Sequence, residues 1–117
     1  MEVNYSKEKG LITYVVDGRI TVDDMRQMQE ARVQLSPNQS IKILAIVTSF
    51  KGYASFGAMK NALLGDLRML PHLSKYAICT DIIWLRNVVS FLNHLVPKST
   101  LKVFPLRDRE LAELWLE

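Results

Sequence analysis

The run Ile41–Lys42–Ile43–Leu44–Ala45–Ile46–Val47 constrains this chain more than any other segment. A strand with one solvated face alternates apolar and polar residues. Here only Lys42 interrupts the apolar character, so the strand needs cover on both faces. That places it centrally in a largely parallel sheet, with helices packed against it.

The flanking segments supply the other elements. Val3–Ser6 alternates, Lys9–Gly10 turns the chain, and Leu11–Val16 is β-branched and aromatic before Asp17–Gly18, which reads as a β-hairpin. Thr21 with Asp24 three residues on forms a capping box, opening a helix whose Met25, Met28, Ala31 and Leu35 share one face. Ser36–Pro37–Asn38 stops it. A second helix is expected over 55–70, a short buried strand over Tyr76–Thr80, and a third helix from Ile82 to about Leu95 with Asp81 as its N-cap. Thr100–Phe104 is the last strand, broken by Pro105, and 108–117 forms a final helix with Leu111, Leu114 and Trp115 inward. The order β-β-α-β-α-β-α-β-α predicts an α/β fold: one mixed, mostly parallel five-stranded sheet with about four helices, in a single domain over 1–117.

Composition excludes several classes. Of the 117 residues 49% are hydrophobic and 23% charged, which is globular rather than disordered. The net charge of +3 permits an acidic partner, but there is no basic block or recognition motif, so no nucleic acid is expected. Cys79, the single cysteine, sits in the run Tyr76–Cys79 and reads as a buried small hydrophobe. Met1–Tyr5 does not open a signal peptide, and Ile82–Val96 is too short and too polar to span a bilayer. A cytoplasmic protein is the expectation. His72 and His94 have no further ligand at metal spacing, and Asp23–Asp24 suit a helix N-terminus. No nucleophile elbow, P-loop or dinucleotide fingerprint occurs. Neither an enzyme nor a cofactor is expected.

Two helices are more apolar than a core requires. In the second, Phe56, Met59, Leu63, Leu67 and Leu70 spread with their neighbours over more than half the circumference. In the third, Ile82, Leu85, Val89, Leu92 and Val96 form one face, and Trp84, Val88, Phe91 and Leu95 widen it sideways. A stripe of little more than 100° suffices to cover a core. The surplus is expected to close between the two helices, or to open as an apolar pocket or a dimer face. The intervening loop carries Phe50, Lys51 and Tyr53 at the C-terminal end of the central strand, where open α/β sheets gather ligands. Lys51 and Lys60 could hold an anion beside Phe50, Tyr53 and Phe56.

Ordered along the chain, several pieces resemble one family. Gly18–Arg19–Ile20–Thr21 resembles a "G-K-L-T" entry to the first helix, and Ile41–Leu44 through Phe50–Lys51–Gly52–Tyr53 resembles a central strand followed by "F-x-G-W". Tyr76–Ile78 through Asp81–Leu85 resembles "R-V-A-V-V-G-D-x-x-W". Lys102–Leu106 and Ala112–Leu116 resemble a closing "V-R-x-F" strand and "A-x-x-W-L" helix. The chain is similar to the SpoIIAA-like proteins, a STAS-domain branch also likened to the lipid-binding CRAL-TRIO (Sec14-like) fold. The resemblance implies a non-catalytic module that binds a lipid-like or amphiphilic ligand or meets a membrane surface. The alternative is a regulatory protein-interaction domain of the anti-sigma-factor-antagonist kind, acting as a homodimer or through a partner. Antagonists of that group are phosphorylated on a serine at the start of the second helix, in a D-S-S/T-G setting. Ser55 is the nearest position, but Ala54 and Phe56 flank it, a departure that argues against a phosphoswitch.

Overall fold

The computed structural model describes residues 1–35, 40–50, 61, 63–68, 72–97 and 100–117, with the backbone alone for Phe50. Strands β1 (Glu2–Ser6) and β2 (Leu11–Gly18) pair antiparallel. Gly10 lies in the turn between them at φ 63°, a conformation that disfavours a side chain. Helix α1 (Val22–Leu35) leads to β3 (Ile41–Phe50). Helical residues 63–67 belong to α2, followed by β4 (Leu73–Thr80), α3 (Ile83–Leu92), β5 (Leu101–Phe104), a 3₁₀ turn (Leu106–Asp108) and α4 (Arg109–Leu116).

The sheet runs β1-β2-β3-β4-β5 in chain order, and every pair after the first is parallel. Right-handed crossovers that always step in one direction place their helices on one face. The larger core shows this: Met28, Ala31 and Leu35 of α1, Leu63 of α2, and Leu85 and Val89 of α3 pack with Ile12, Tyr14, Ile43, Tyr76 and Ile78 of the sheet. The other face carries a smaller core, in which Ala112 and Leu116 of α4 cover Leu44, Ile46, Ala77, Cys79 and Phe104. The central strand β3 is therefore covered on both sides, as its nearly continuous apolar run requires.

The capping box forms as expected. Asp24 Oδ2 accepts from Thr21 N at 2.8 Å, and Thr21 Oγ1 accepts from Asp24 N at 3.1 Å. Four expectations are corrected. β3 continues through Ser49 and Phe50, which pair in register with Asp17 and Gly18 rather than opening a loop. β4 begins earlier, at Leu73, because Lys42, Ile43 and Leu44 pair with Lys75, Tyr76 and Ala77 despite the polar start. Asp81 does not cap α3. Thr80 Oγ1 accepts the Ile82 N–H instead, and Asp81 Oδ1 accepts from Leu106 N, pinning the chain that leaves β5. Finally, α4 presents Ala112 and Leu116 inward with Trp115 half-buried, while Leu111 and Leu114 stand 55% and 61% exposed. Leu106 of the 3₁₀ turn packs against the same core, and of the three residues expected inward only Trp115 reaches it.

Candidate functional site

Helix α3 carries two apolar stripes. Leu85 and Val89 are buried, with Ile82, Leu92 and Val96 packed beside them. Trp84, Val88, Phe91 and Leu95 recur at i, i+4, i+7 and i+11 as a second stripe along the helix. This stripe is not sealed in the core: Phe91 is 65% exposed, Leu95 68%, and Trp84 and Val88 more than a third. Ile83 is exposed as well. The helix itself ends at Leu92, and tighter turns (His94 N to Phe91 O, Leu95 N to Leu92 O) carry Leu95 beyond it.

The remaining expected site residues divide. Leu63 is buried in the core, so it braces α2 and is not open to a ligand. Phe50 ends β3. Lys51, Tyr53, Ser55, Phe56, Met59 and Lys60 lie outside the described residues. At the same end of the sheet, the Ser49 hydroxyl donates to Asp17 Oδ1 at 2.8 Å and the Thr48 hydroxyl to Val16 O at 3.1 Å, so both groups tie β3 to β2.

Sequence reasoning missed a buried polar centre. The Asp66 carboxylate of α2 is fully buried and accepts three hydrogen bonds: from Tyr14 Oη at 2.9 Å, Tyr76 Oη at 2.6 Å and Arg32 Nε at 2.6 Å. Four elements, β2, β4, α1 and α2, thus meet at one carboxylate. Gly65 gives the guanidinium its room, since a Cβ there would lie 3.1 Å from Arg32 Nη1. Burial pushes the Asp66 carboxyl above its usual range, while Arg32 and the donated hydrogen bonds pull it back. Burial, reinforced by the Asp66 charge, holds both phenols far above the ordinary tyrosine range. A signal did exist: Leu63, Asp66, Leu67 and Leu70 fall at i, i+3, i+4 and i+7, which puts a charged residue on a core stripe. Its partners, 34 and 52 positions away in Arg32 and Tyr14, leave no such trace.

On the opposite face, a cavity of about 620 Å³ opens between α4 and the β2–β3 surface. Leu11, Thr13, Leu44 and Leu116 form its apolar part, and Lys9, Lys42, Arg109, Glu113 and Glu117 its charged rim. Cys79 lies buried under the same helix as a free thiol, its pKa pushed up to about 11 by burial. His72 and His94 are both exposed. Among the described residues no group of His, Cys, Asp or Glu is placed to hold a metal ion. Among them, too, no helix is long and apolar enough to cross a membrane.

The five-stranded, mostly parallel sheet, layered by three helices on one side and one on the other, is an α/β architecture of the STAS type. The SpoIIAA-like family model matches residues 11–117, nearly the whole chain, and the protein belongs to the SpoIIAA-like family. No curated protein and no solved structure is significantly similar to it.

Proposed function

We propose that this protein is a non-catalytic binding module which uses the second stripe of α3 to engage an amphiphilic, lipid-like ligand or a membrane surface. The observation behind this reading is the exposure of Trp84, Val88, Phe91 and Leu95 along one flank. Large apolar side chains scattered singly on a surface need no explanation, but a contiguous row of them does. Tryptophan, phenylalanine and leucine on one helix flank suit the boundary between headgroups and acyl chains. The test is flotation with vesicles of mixed phosphatidylcholine and phosphatidylglycerol, together with native mass spectrometry and lipid extraction. Wild-type protein is expected to float, and Phe91→Ser with Leu95→Ser to sink. A clean apo mass and no vesicle binding overturn the reading.

The second reading, a regulatory STAS-type interaction domain, is favoured by the family membership. The same stripe would then be covered by a protein partner or by a second copy. Light scattering after size exclusion separates the two readings: a stable dimer weakened by Trp84→Ala or Phe91→Ala supports this one, and a strict monomer removes its homodimeric form.

A further inference from the structure

We infer that the second stripe of α3 is one wall of a groove between α2 and α3, and that this groove takes a single-chain amphiphile. Its anionic head, a carboxylate or phosphate monoester, lies at Arg68, and its tail runs toward Trp84. The inference rests on reading the stripe as an apolar binding surface and names what that surface takes.

The direction of the stripe follows from the handedness of the helices. α2 and α3 each connect parallel strands in chain order, so they run the same way on one face, with α2 between α1 and α3. Viewed down α2 from its N-terminus, at about 100° per residue, Asp66 lies counter-clockwise of the buried Leu63. It meets Arg32 of α1, the helix on that side. Leu64, which is exposed, and Leu67, which is half-buried, lie clockwise of Leu63 and so face α3. On α3 the order is reversed. Trp84, Val88, Phe91 and Leu95 lie counter-clockwise of the buried Leu85 and Val89, and so face back toward α2. The side of α3 that points straight into solvent is mostly polar, with Asn87, Ser90 and His94 beside Ile83. Two bare apolar rows turned toward each other make a slot for a chain, not a flat face for a bilayer.

Charge decides the head. Arg68 follows Leu64 by four positions, and its N–H still bonds to Leu64 O, so it continues the same row. It is exposed and makes no ion pair among the described residues. Asp66, the carboxylate on the described part of α2, is buried and engaged, and α3 carries none. The helix ends add a partial negative charge of about half a unit, screened by water, against the full charge of the guanidinium. Because the two helices run the same way, Arg68 stands at the Leu92 end of α3. Trp84 is eight positions back, about 12 Å along the helix and roughly the length of an extended ten-carbon chain.

Calorimetric titration with decanoate, decyl phosphate, decanol and decyltrimethylammonium, each below its micelle threshold, tests the head. One anion per chain is expected, with decanol and the cation far weaker. Arg68→Met, which keeps the side-chain stem, should weaken the anions roughly tenfold and leave decanol unchanged. Arg86→Met, on the far flank of α3, should change nothing. Leu64→Ser should weaken every amphiphile several-fold. Tryptophan fluorescence tests the tail: 10-bromodecanoate should quench and 2-bromodecanoate should not, and Trp84→Phe should abolish the difference. The inference is overturned if neither anion binds, if decanol equals them, if Arg68→Met or Leu64→Ser binds unchanged, or if both bromo acids quench alike. Should Leu64→Ser fail to fold, Arg68→Met and the head-group series still decide. A protein that floats with vesicles yet takes none of the four amphiphiles keeps its apolar docking surface and loses this inference. Loss of flotation and of all binding removes both.

Discussion

Replacing Asp66 tests the buried centre most directly. Asp66→Ala would take the buried counter-ion from the Arg32 guanidinium, which is 12% exposed and also donates to Gln29 Oε1 at 3.2 Å, and the acceptor from the hydroxyls of Tyr14 and Tyr76. Breaking a buried ion pair from one side costs about 3–5 kcal/mol, because the surviving charge stays desolvated without its counter-ion. Domains of this size unfold with a total of roughly 5–15 kcal/mol, so the variant should be severely weakened. Its melting temperature should fall by roughly 10–20 °C at the usual few degrees per kcal/mol. The informative comparison is the fourfold variant Arg32→Met, Asp66→Leu, Tyr14→Phe, Tyr76→Phe. Removing every polar partner together leaves none orphaned, and it should recover most of the lost stability. Urea unfolding followed by circular dichroism measures both. If Asp66→Ala costs less than about 1 kcal/mol, or if the fourfold variant is no better, the centre is not a desolvated, mutually dependent cluster and the reasoning fails.

Three further outcomes follow from the same geometry. Gly65→Ala should destabilise slightly despite alanine's better helix propensity, because Arg32 is held by Asp66 and cannot easily retreat from a Cβ at 3.1 Å; thermal melts decide it. The phenols of Tyr14 and Tyr76 have folded pKa values raised above the unfolded value of about 10, so their contribution is complete below that pH and is lost as pH rises beyond it. In a Tyr5→Phe, Tyr53→Phe variant, absorbance at the tyrosinate band should therefore show both ionising only together with alkaline unfolding, and a smooth titration of that folded chain would contradict this. Cys79, with its thiol held near pKa 11 and no exposed surface, should resist a disulfide reagent at pH 8 and react at once in denaturant.

The frame of the fold was legible because periodicity reports burial locally. The nearly continuous apolar run of β3, the hairpin around Gly10 and the Thr21–Asp24 box all form where the residues imply. What escaped depends on contacts between distant residues. Asp81 looks like a cap from its neighbours alone, yet its carboxylate is claimed by Leu106 N, 25 positions on. The inward face of α4 follows from packing on strands laid down much earlier in the chain, and with positions 111, 112, 114, 115 and 116 all apolar the helix does not single out Ala112 and Leu116. The surplus apolar width of α3 was visible, but whether a neighbour covered it was not. Its second stripe proves open. The groove under α4 was invisible, since it exists only because one short helix covers part of a sheet face.

The chain-order sheet also bears on how the protein is made. Each strand pairs with the one synthesised before it, so β1 to β4 can assemble progressively as they emerge, with α1 and α2 settling on their shared face. The opposite face has no such schedule. Leu44, Ile46, Ala77 and Cys79 must wait for α4, which follows every strand. A nascent chain or a truncation lacking residues 105–117 therefore carries a finished sheet with one sticky side. It is at that stage, rather than in the mature fold, that this protein should most need a chaperone.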